Sequence, residues 1–287
     1  MGSQENLLRL IGKANKRFDL IEDGDHIMVA VSGGKDSWSL LSLLKHYRAK
    51  SPLQFEITAV TLDQGQPGFC DVEMRKRYEA MQVNYRIEYR DTFSVVQENT
   101  PAGKAYCALC SRMRRGILYR IADELKANKI ALGHHRDDFI ETLLLNQFYA
   151  GRIRSMGVRL MGDDHSPEII RPMVYVAESD LIEYAAALEF PIIPCNLCGS
   201  QDGLKRQQIK RLLTELESQN PRIRGNLLAA LGNIDESHLL LGASTTLPSA
   251  NQQESAMNAS GSLVQLVERT LDDERSTTNV SNQPAGE

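Results

Sequence analysis

The sequence predicts an α/β protein built on a doubly wound parallel sheet, with a helix ahead of the sheet and a helical region behind it. Three observations carry this. Short apolar runs alternate with helix-length amphipathic segments, which is the pattern of βαβ units. Ser32-Gly33-Gly34-Lys35-Asp36-Ser37 stands directly between one apolar run and one helical segment. Polar residues then recur at three predicted strand ends, where open α/β sheets bind ligands. With 287 residues, 42% hydrophobic and 24% charged, the chain is long enough for one such domain and an accessory region.

Taken in order, residues 6–21 have apolar positions at helical spacing. His26 to Val31 is a strand feeding the Ser-Gly-Gly turn. Lys35 to Arg48 follows as a helix with Trp38, Leu40, Leu41, Leu43 and Leu44 on its inner side. Phe55 to Asp63 is a second strand, Val72 to Gln82 a charged surface helix, and Tyr85 to Tyr89 a third strand. Ser111 to Asn128 reads as a long helix and Lys129 to Gly133 as a fourth strand. Asp137 to Ala150 is again helical. Gly151 to Gly162 is basic and reads as a loop. Helices follow at Ser179–Glu189, with Ser179 as N-cap, and at 206–217 and 222–231. From 243 on, Ser, Thr, Asn, Gln and Pro dominate, which predicts a disordered tail with a transient helix at 262–271. The expected organisation is thus 1–24, an N-terminal helix; 25–200, the sheet domain; 201–242, a helical region; and 243–287, the tail.

The first twenty residues carry charges throughout and lack a secretory core, and no apolar run is long enough to span a bilayer. A cytoplasmic protein without a membrane partner is expected. Net charge is −4, and residues 241–287 hold six acids against two bases, so the rest of the chain is neutral. An acidic total does not exclude a nucleic-acid partner, because clustering of bases on one face decides that.

Two glycines after a strand let backbone N–H groups turn toward an anion, and the next helix adds its positive end. Lys35 can reach phosphate oxygens, Asp36 can hold Mg²⁺ or its waters, and Ser32 and Ser37 supply short hydroxyl donors. The Walker A spacing is absent. The string suits a site that grips pyrophosphate as a leaving group. A bare Ser-Gly-Gly is accounted for by a tight turn alone; the full six-residue string after an apolar strand is much more specific. Asp63 and the segment Gly133-His134-His135-Arg136-Asp137-Asp138 lie at two further strand ends, so all three clusters converge on one crevice. In the last segment, helix capping by the aspartates and a direct role at the site are equally good readings.

Four of the five cysteines form two Cys-x-x-Cys pairs, Cys107/Cys110 and Cys195/Cys198. In a chain with no secretory signal this points to metal or redox chemistry before disulfides. Two such pairs can close a tetrahedral zinc site or hold an iron–sulfur cluster. Spacing does not choose between these and leaves Cys195 equal to Cys198. Arg112, Arg114 and Arg115 beside the first pair would favour its thiolates. Cys70 stands alone and reads as a buried apolar residue.

Ser32–Ser37 resembles the PP-loop of the N-type ATP pyrophosphatases, a group that includes tRNA thiolases and NAD and GMP synthetases. Together with Tyr106-Cys107-x-x-Cys110, Gly133–Asp138 and Pro194-Cys195-Asn196-Leu197-Cys198-Gly199-Ser200-Gln201, it resembles the 2-thiocytidine-forming (TtcA-type) branch of the tRNA thiolases over roughly residues 5–235. The resemblance implies ATP cleavage to AMP and pyrophosphate, and a [4Fe–4S] cluster on three cysteines matching Cys107, Cys110 and Cys198. Cys195 falls on a cysteine that the family does not use as a ligand. It further implies cytidine 32 of tRNA as substrate, a cysteine desulfurase as sulfur donor, and a homodimer. Lys35, Asp36 and Cys198 are then the catalytic candidates. Ser32, Gly33, Gly34, Ser37, Asp63 and Gly133 are nucleotide-binding candidates, and Asp36 is a Mg²⁺ ligand.

The chemistry is coherent. Adenylation turns the C2 oxygen of cytidine into a leaving group, and a sulfur nucleophile displaces it. A persulfide on Cys195 or Cys198 is the rival carrier. RNA contacts are expected from Arg112, from Arg152, Arg154 and Arg159, and from Lys205 and Arg206. Solvated helix faces with interleaved acids compete for the bases of 206–217. Other readings remain: a PP-loop ligase that uses an amine, a reductase of adenylylated sulfur compounds on the same fold, and a non-catalytic RNA-binding iron–sulfur sensor.

Overall fold

The computed structural model describes residues 4–65, 69, 71–99, 107–161, 166–192 and 201–240, without the side chains of 96–99, 107–111 and 201–203. The chain divides into two compact units, Met1–Asn233 and Ile234–Glu287. The first contains α1 (Gln4–Phe18), β1 (His26–Ala30), α2 (Lys35–Lys50), β2 (Glu56–Asp63), α3 (Asp71–Ala80), β3 (Asn84–Tyr89), α4 (Thr92–Asn99) and α5 (Cys107–Glu124). It continues with β4 (Lys129–Ala131), α6 (Arg136–Ala150), β5 (Arg159–Leu160), β6 (Glu168–Ile170), α7 (Glu178–Ala187), α8 (Gln201–Gln219) and α9 (Ile223–Ala230). In the second unit, the described residues hold a short 3₁₀ turn at Glu236–His238.

The six strands run in the order β3-β2-β1-β4-β6-β5, parallel except for the antiparallel edge pair β5–β6. From β1 the chain winds outward through β2 and β3, then returns to place β4 on the other side of β1. The order reverses between β1 and β4, so the turn after β1 opens onto the crevice that such a switch creates. Register sets the two strand ends side by side: Val29 faces Ala131 and Ala30 faces Val60.

Side chains of β1 alternate between two apolar layers. Ile27 and Val29 join α1, α2 and α7, with Trp38, Leu40, Leu41, Leu43 and Leu44 all fully buried. Met28 joins Val60, Ile130 and Ile169 against Ile121 and Ala122 of α5 on the other face. Ile140 and Leu144 of α6 pack on Ile209 and Leu213 of α8 in a third cluster. At the amino end of the sheet Lys129 is buried, with its Nζ 2.8 Å from Asp25 and 3.0 Å from Glu22. That charge cluster lies away from the crevice and joins β4 to the entry of β1.

Four local expectations are corrected. The long helix begins at Cys107, not Ser111, so the first cysteine pair occupies its opening turn; nothing in Cys-Ala-Leu-Cys disfavours helix. The segment 151–162 is not loop throughout. Arg159–Leu160 pairs with β6, and Arg159 forks onto Glu168 at 2.8 and 3.1 Å. Ser179 does not cap α7, which starts one residue earlier after Ala177. There the Glu178 N–H donates to Asp137 Oδ2 at 2.8 Å, a cap supplied from α6 that no local pattern reveals. Helix α4 and strand β6 lacked a periodic signal and were not expected. The proposed tail from 243, its transient helix and Cys70 lie outside the described residues.

Candidate active site

The turn after β1 forms an anion cradle. Gly33 adopts φ 86°, open only to glycine at low cost, and Gly34 stays extended as the N-cap of α2. Ser37 Oγ locks the turn by donating to Gly34 O at 2.9 Å and accepting from the Ser32 N–H at 3.1 Å. Ser32 Oγ accepts from the Gly34 N–H at 3.4 Å. With the serines holding the turn from inside, the first N–H groups of α2 have no acceptor within the helix, and they suit phosphate oxygens.

Gly133 shows that the neighbouring strand end belongs to the same surface. A Cβ on it would stand 3.1 Å from Asp36 C, Ser37 Cα and Ser37 N. Only a glycine lets the backbone after β4 approach the first turn of α2 so closely. Past it, His135 is buried at the N-cap of α6, and its N–H donates to Asp138 Oδ2 at 3.0 Å. His135 Nε2 lies 3.8 Å from Asp36 Oδ1.

Lys35 supplies the cation of this cradle. Its Nζ lies 3.0 Å from Asp36 Oδ1 and 3.2 Å from Glu178 Oε1. Burial pushes its pKa down, but the carboxylates of Asp36 and Glu178 outweigh that and leave it raised, so the side chain stays charged. Asp36 Oδ1 is buried and accepts no hydrogen bond among the described residues. The Lys35 ion pair touches it without hydrogen-bond alignment. An acceptor left open in this way fits a hard cation or its water. No group of three His, Cys, Asp or Glu among the described residues forms a ready-made metal cage.

Glu178 was not singled out from sequence, because a lone glutamate opening a helix carries no signal. It is the hub between cradle and helical region. Lys210 of α8 donates to its Oε2 at 2.9 Å and its Oε1 at 3.1 Å. Burial raises its carboxyl, and Lys210 and Lys35 more than reverse this, leaving it lowered. Asp137 below it accepts from Arg224 at 2.8 Å and Arg136 at 3.2 Å. Arg206 and Lys210 lie 3.4 and 3.6 Å from buried Glu141, whose pKa burial raises. So Arg206, expected to face RNA, is engaged with carboxylates here, as are Lys210 and Arg224.

His134 accepts from Arg171 Nε at its Nδ1, 3.0 Å away. Burial and then Arg171 hold its pKa down to about 4. The ring is therefore neutral, and its remaining Nε2–H can only donate. Arg171 is itself lowered to about 10, by burial and then by Arg115 of α5. Arg115 of α5, the helix that carries the first cysteine pair, thus lies within electrostatic range of Arg171.

The remaining expected residues divide clearly. Asp63 ends β2, and its Oδ1 accepts from the Gly65 N–H at 2.9 Å, a turn role. Arg112, Arg152 and Arg154 are exposed, whereas Arg159 is bound to Glu168. Cys107 and Cys110 lie one turn apart on α5. Cys195 and Cys198 lie outside the described residues.

A family described as a PP-loop domain matches residues 3–214. The tRNA-cytidine(32) 2-sulfurtransferase of Anaeromyxobacter sp. (strain Fw109-5) is 49% identical over 237 residues, 83% of this chain and 78% of its own. That of Coxiella burnetii (strain CbuG_Q212) is also 49% identical, over 83% of this chain and 93% of its own. The fold is shared with the U34-tRNA thiolase NcsA from Methanococcus maripaludis, solved with its [4Fe–4S] cluster. Its TM-score is 0.64 and identity 21%, over 81% of each chain. Both the PP-loop cradle and the identity along most of its length place this chain in the PP-loop family, as a member of the tRNA-cytidine(32) 2-sulfurtransferases.

Proposed function

We propose that this chain converts cytidine 32 in the anticodon loop of tRNA to 2-thiocytidine, using ATP. The observation that carries this is the cradle at the β1–α2 turn, closed by Gly133, in a chain half identical to sulfurtransferases of that specificity.

The residues divide the work as follows. The N–H groups of the α2 first turn and Lys35 hold the β- and γ-phosphates as the pyrophosphate leaving group. Asp36 offers its open oxygen to Mg²⁺. The C2 oxygen of cytidine attacks the α-phosphorus, pyrophosphate departs, and C2 carries AMP. Sulfur then bonds to C2 and AMP leaves with the former carbonyl oxygen. Cys107, Cys110 and Cys198 are the proposed ligands of a [4Fe–4S] cluster, which when bound would carry the incoming sulfur. The spacing of Cys107 and Cys110 along one helical turn supports them as a ligand pair. A cysteine desulfurase as donor and a homodimer rest on the family resemblance. Arg112, Arg152, Arg154 and Lys205 are the proposed RNA-facing bases.

Anaerobic purification, iron counting and nucleoside analysis of tRNA test the reading. Cys107→Ala, Cys110→Ala and Cys198→Ala each lose cluster and 2-thiocytidine, while Cys195→Ala keeps the cluster. A full cluster in Cys198→Ala overturns the ligand set. Full activity in an iron-free preparation overturns the cluster route and favours a ligase.

A further inference from the structure

The far end of α6 holds a second group of residues that the nucleotide crevice does not use. From Thr142 to Met161 the chain has no acidic residue but three arginines. Arg159 forks onto Glu168, and the side chains of Arg152 and Arg154 reach solvent. Beside them, Phe148 and Tyr149 remain 56% and 49% exposed. Lys205 of α8 sets its ammonium 4.7 Å over the Tyr149 ring, and Tyr149 Oη donates to Gln208 Oε1 at 3.0 Å. Leu145, Tyr149, Lys205 and Arg206 line an open cavity of about 220 Å³. The ring is thus oriented from two sides while half of it faces solvent.

An oriented aromatic ring among cations, on a stretch of chain without acids, is equipment for gripping a single nucleic-acid strand. Bases stack on the rings and phosphates meet the charges. A second copy of this chain is a poorer occupant, because a two-fold contact would bring the same positive surface against itself. Tyr149 follows Arg136 by 13 residues in one helix, which at 1.5 Å per residue is about 20 Å from the crevice. Several nucleotides of one strand span that distance.

We infer that Phe148, Tyr149, Lys205, Arg152 and Arg154 form a platform for a nucleotide of the substrate RNA away from the target base. The site takes an unpaired base by stacking and its phosphates by charge. This rests on the tRNA reading above, and it adds a binding site separate from the one where chemistry occurs.

The test uses the full chain and unmodified tRNA, with affinity measured by anisotropy across a salt series and thiolation measured in parallel. Tyr149→Ala weakens tRNA binding about 5- to 150-fold, the range for one lost base stack, while Tyr149→Trp stays near wild type. Lys205→Ala lowers the slope of log affinity against log salt by roughly one. The KM for ATP is unchanged in all three. Wild-type affinity and slope in Tyr149→Ala, Phe148→Ala and Lys205→Ala overturn the platform. So does a Tyr149→Ala chain that changes oligomeric state in sedimentation and keeps its RNA affinity. The two readings separate on the wild type. If it makes 2-thiocytidine and the variants bind normally, only the platform fails. If it makes none, yet binding falls in Tyr149→Ala, only the reaction fails.

Discussion

Replacing Gly133 with alanine tests whether the end of β4 and the phosphate cradle form one surface. The new Cβ would stand 3.1 Å from three atoms, Asp36 C, Ser37 Cα and Ser37 N. Non-bonded carbon contacts are favourable at about 3.5–4.0 Å, so the first turn of α2 must retreat by roughly half an ångström. All three atoms are backbone, so no rotamer change relieves the contact. Overpacking of this kind costs about 1–3 kcal/mol. For a domain of this size that lowers Tm by roughly 3–10 °C. The same retreat misplaces the N–H groups that face phosphate, so the KM for ATP rises as well. Gly116→Ala is the control. It lies in α5 with nothing within 4 Å of its Cβ position, and it gains about 0.5–1 kcal/mol of helix stability. Thermal unfolding and ATP-dependent pyrophosphate release measure both effects. A Gly133→Ala protein with wild-type Tm and wild-type KM for ATP refutes the reasoning.

Two further outcomes follow from the charges around the cradle. Asp137→Ala leaves Arg224 with Glu217 alone, removes the carboxylate beside Arg136 and uncaps α7, so urea unfolding should show a loss of about 1.5–3 kcal/mol, the value of hydrogen bonds to a charged group; a loss below 1 kcal/mol contradicts the role given to it. His134 makes stability pH-dependent. Its pKa is held near 4 in the fold, against 6.5 in the unfolded chain. Between those values the unfolded state binds the extra proton, so this contribution to stability falls as pH is lowered from 6.5 to 4 and is constant above 6.5. Fully developed it amounts to about 3 kcal/mol. His134→Gln should flatten that slope in unfolding measured from pH 4 to 7, and an unchanged slope rules the histidine out as its source.

Much of the site was legible because its parts are local. The six residues Ser32–Ser37 sit between a strand and a helix, and the serine hydrogen bonds that lock them close within that turn. Gly133 could be marked as a strand-end residue, but the reason for it could not: the atoms it must avoid belong to Asp36 and Ser37, about a hundred positions away. Glu178 left no trace in sequence, since its partners Lys35, Lys210 and Asp137 come from three different helices. Arg206 shows the opposite case. It was expected to face RNA, yet Arg206, Lys210 and Arg224 pair with Glu141, Glu178 and Asp137. Charge patterning along a chain reports where cations are, not which carboxylates the fold brings to them.

By itself the sequence determined the alternation of strands and helices, the anion-binding turn and the paired cysteines, because each depends on neighbours within one element or one turn. The tertiary structure decided what stands around them. It set β4 beside β1, so that a glycine there touches the cradle, and it gave α7 its cap from Asp137. It also bound α8 to Lys35 through Glu178, and left Tyr149 oriented under Lys205 at the surface. Those contacts join residues far apart in the chain, and they exist only once the sheet order has folded the helices against one another.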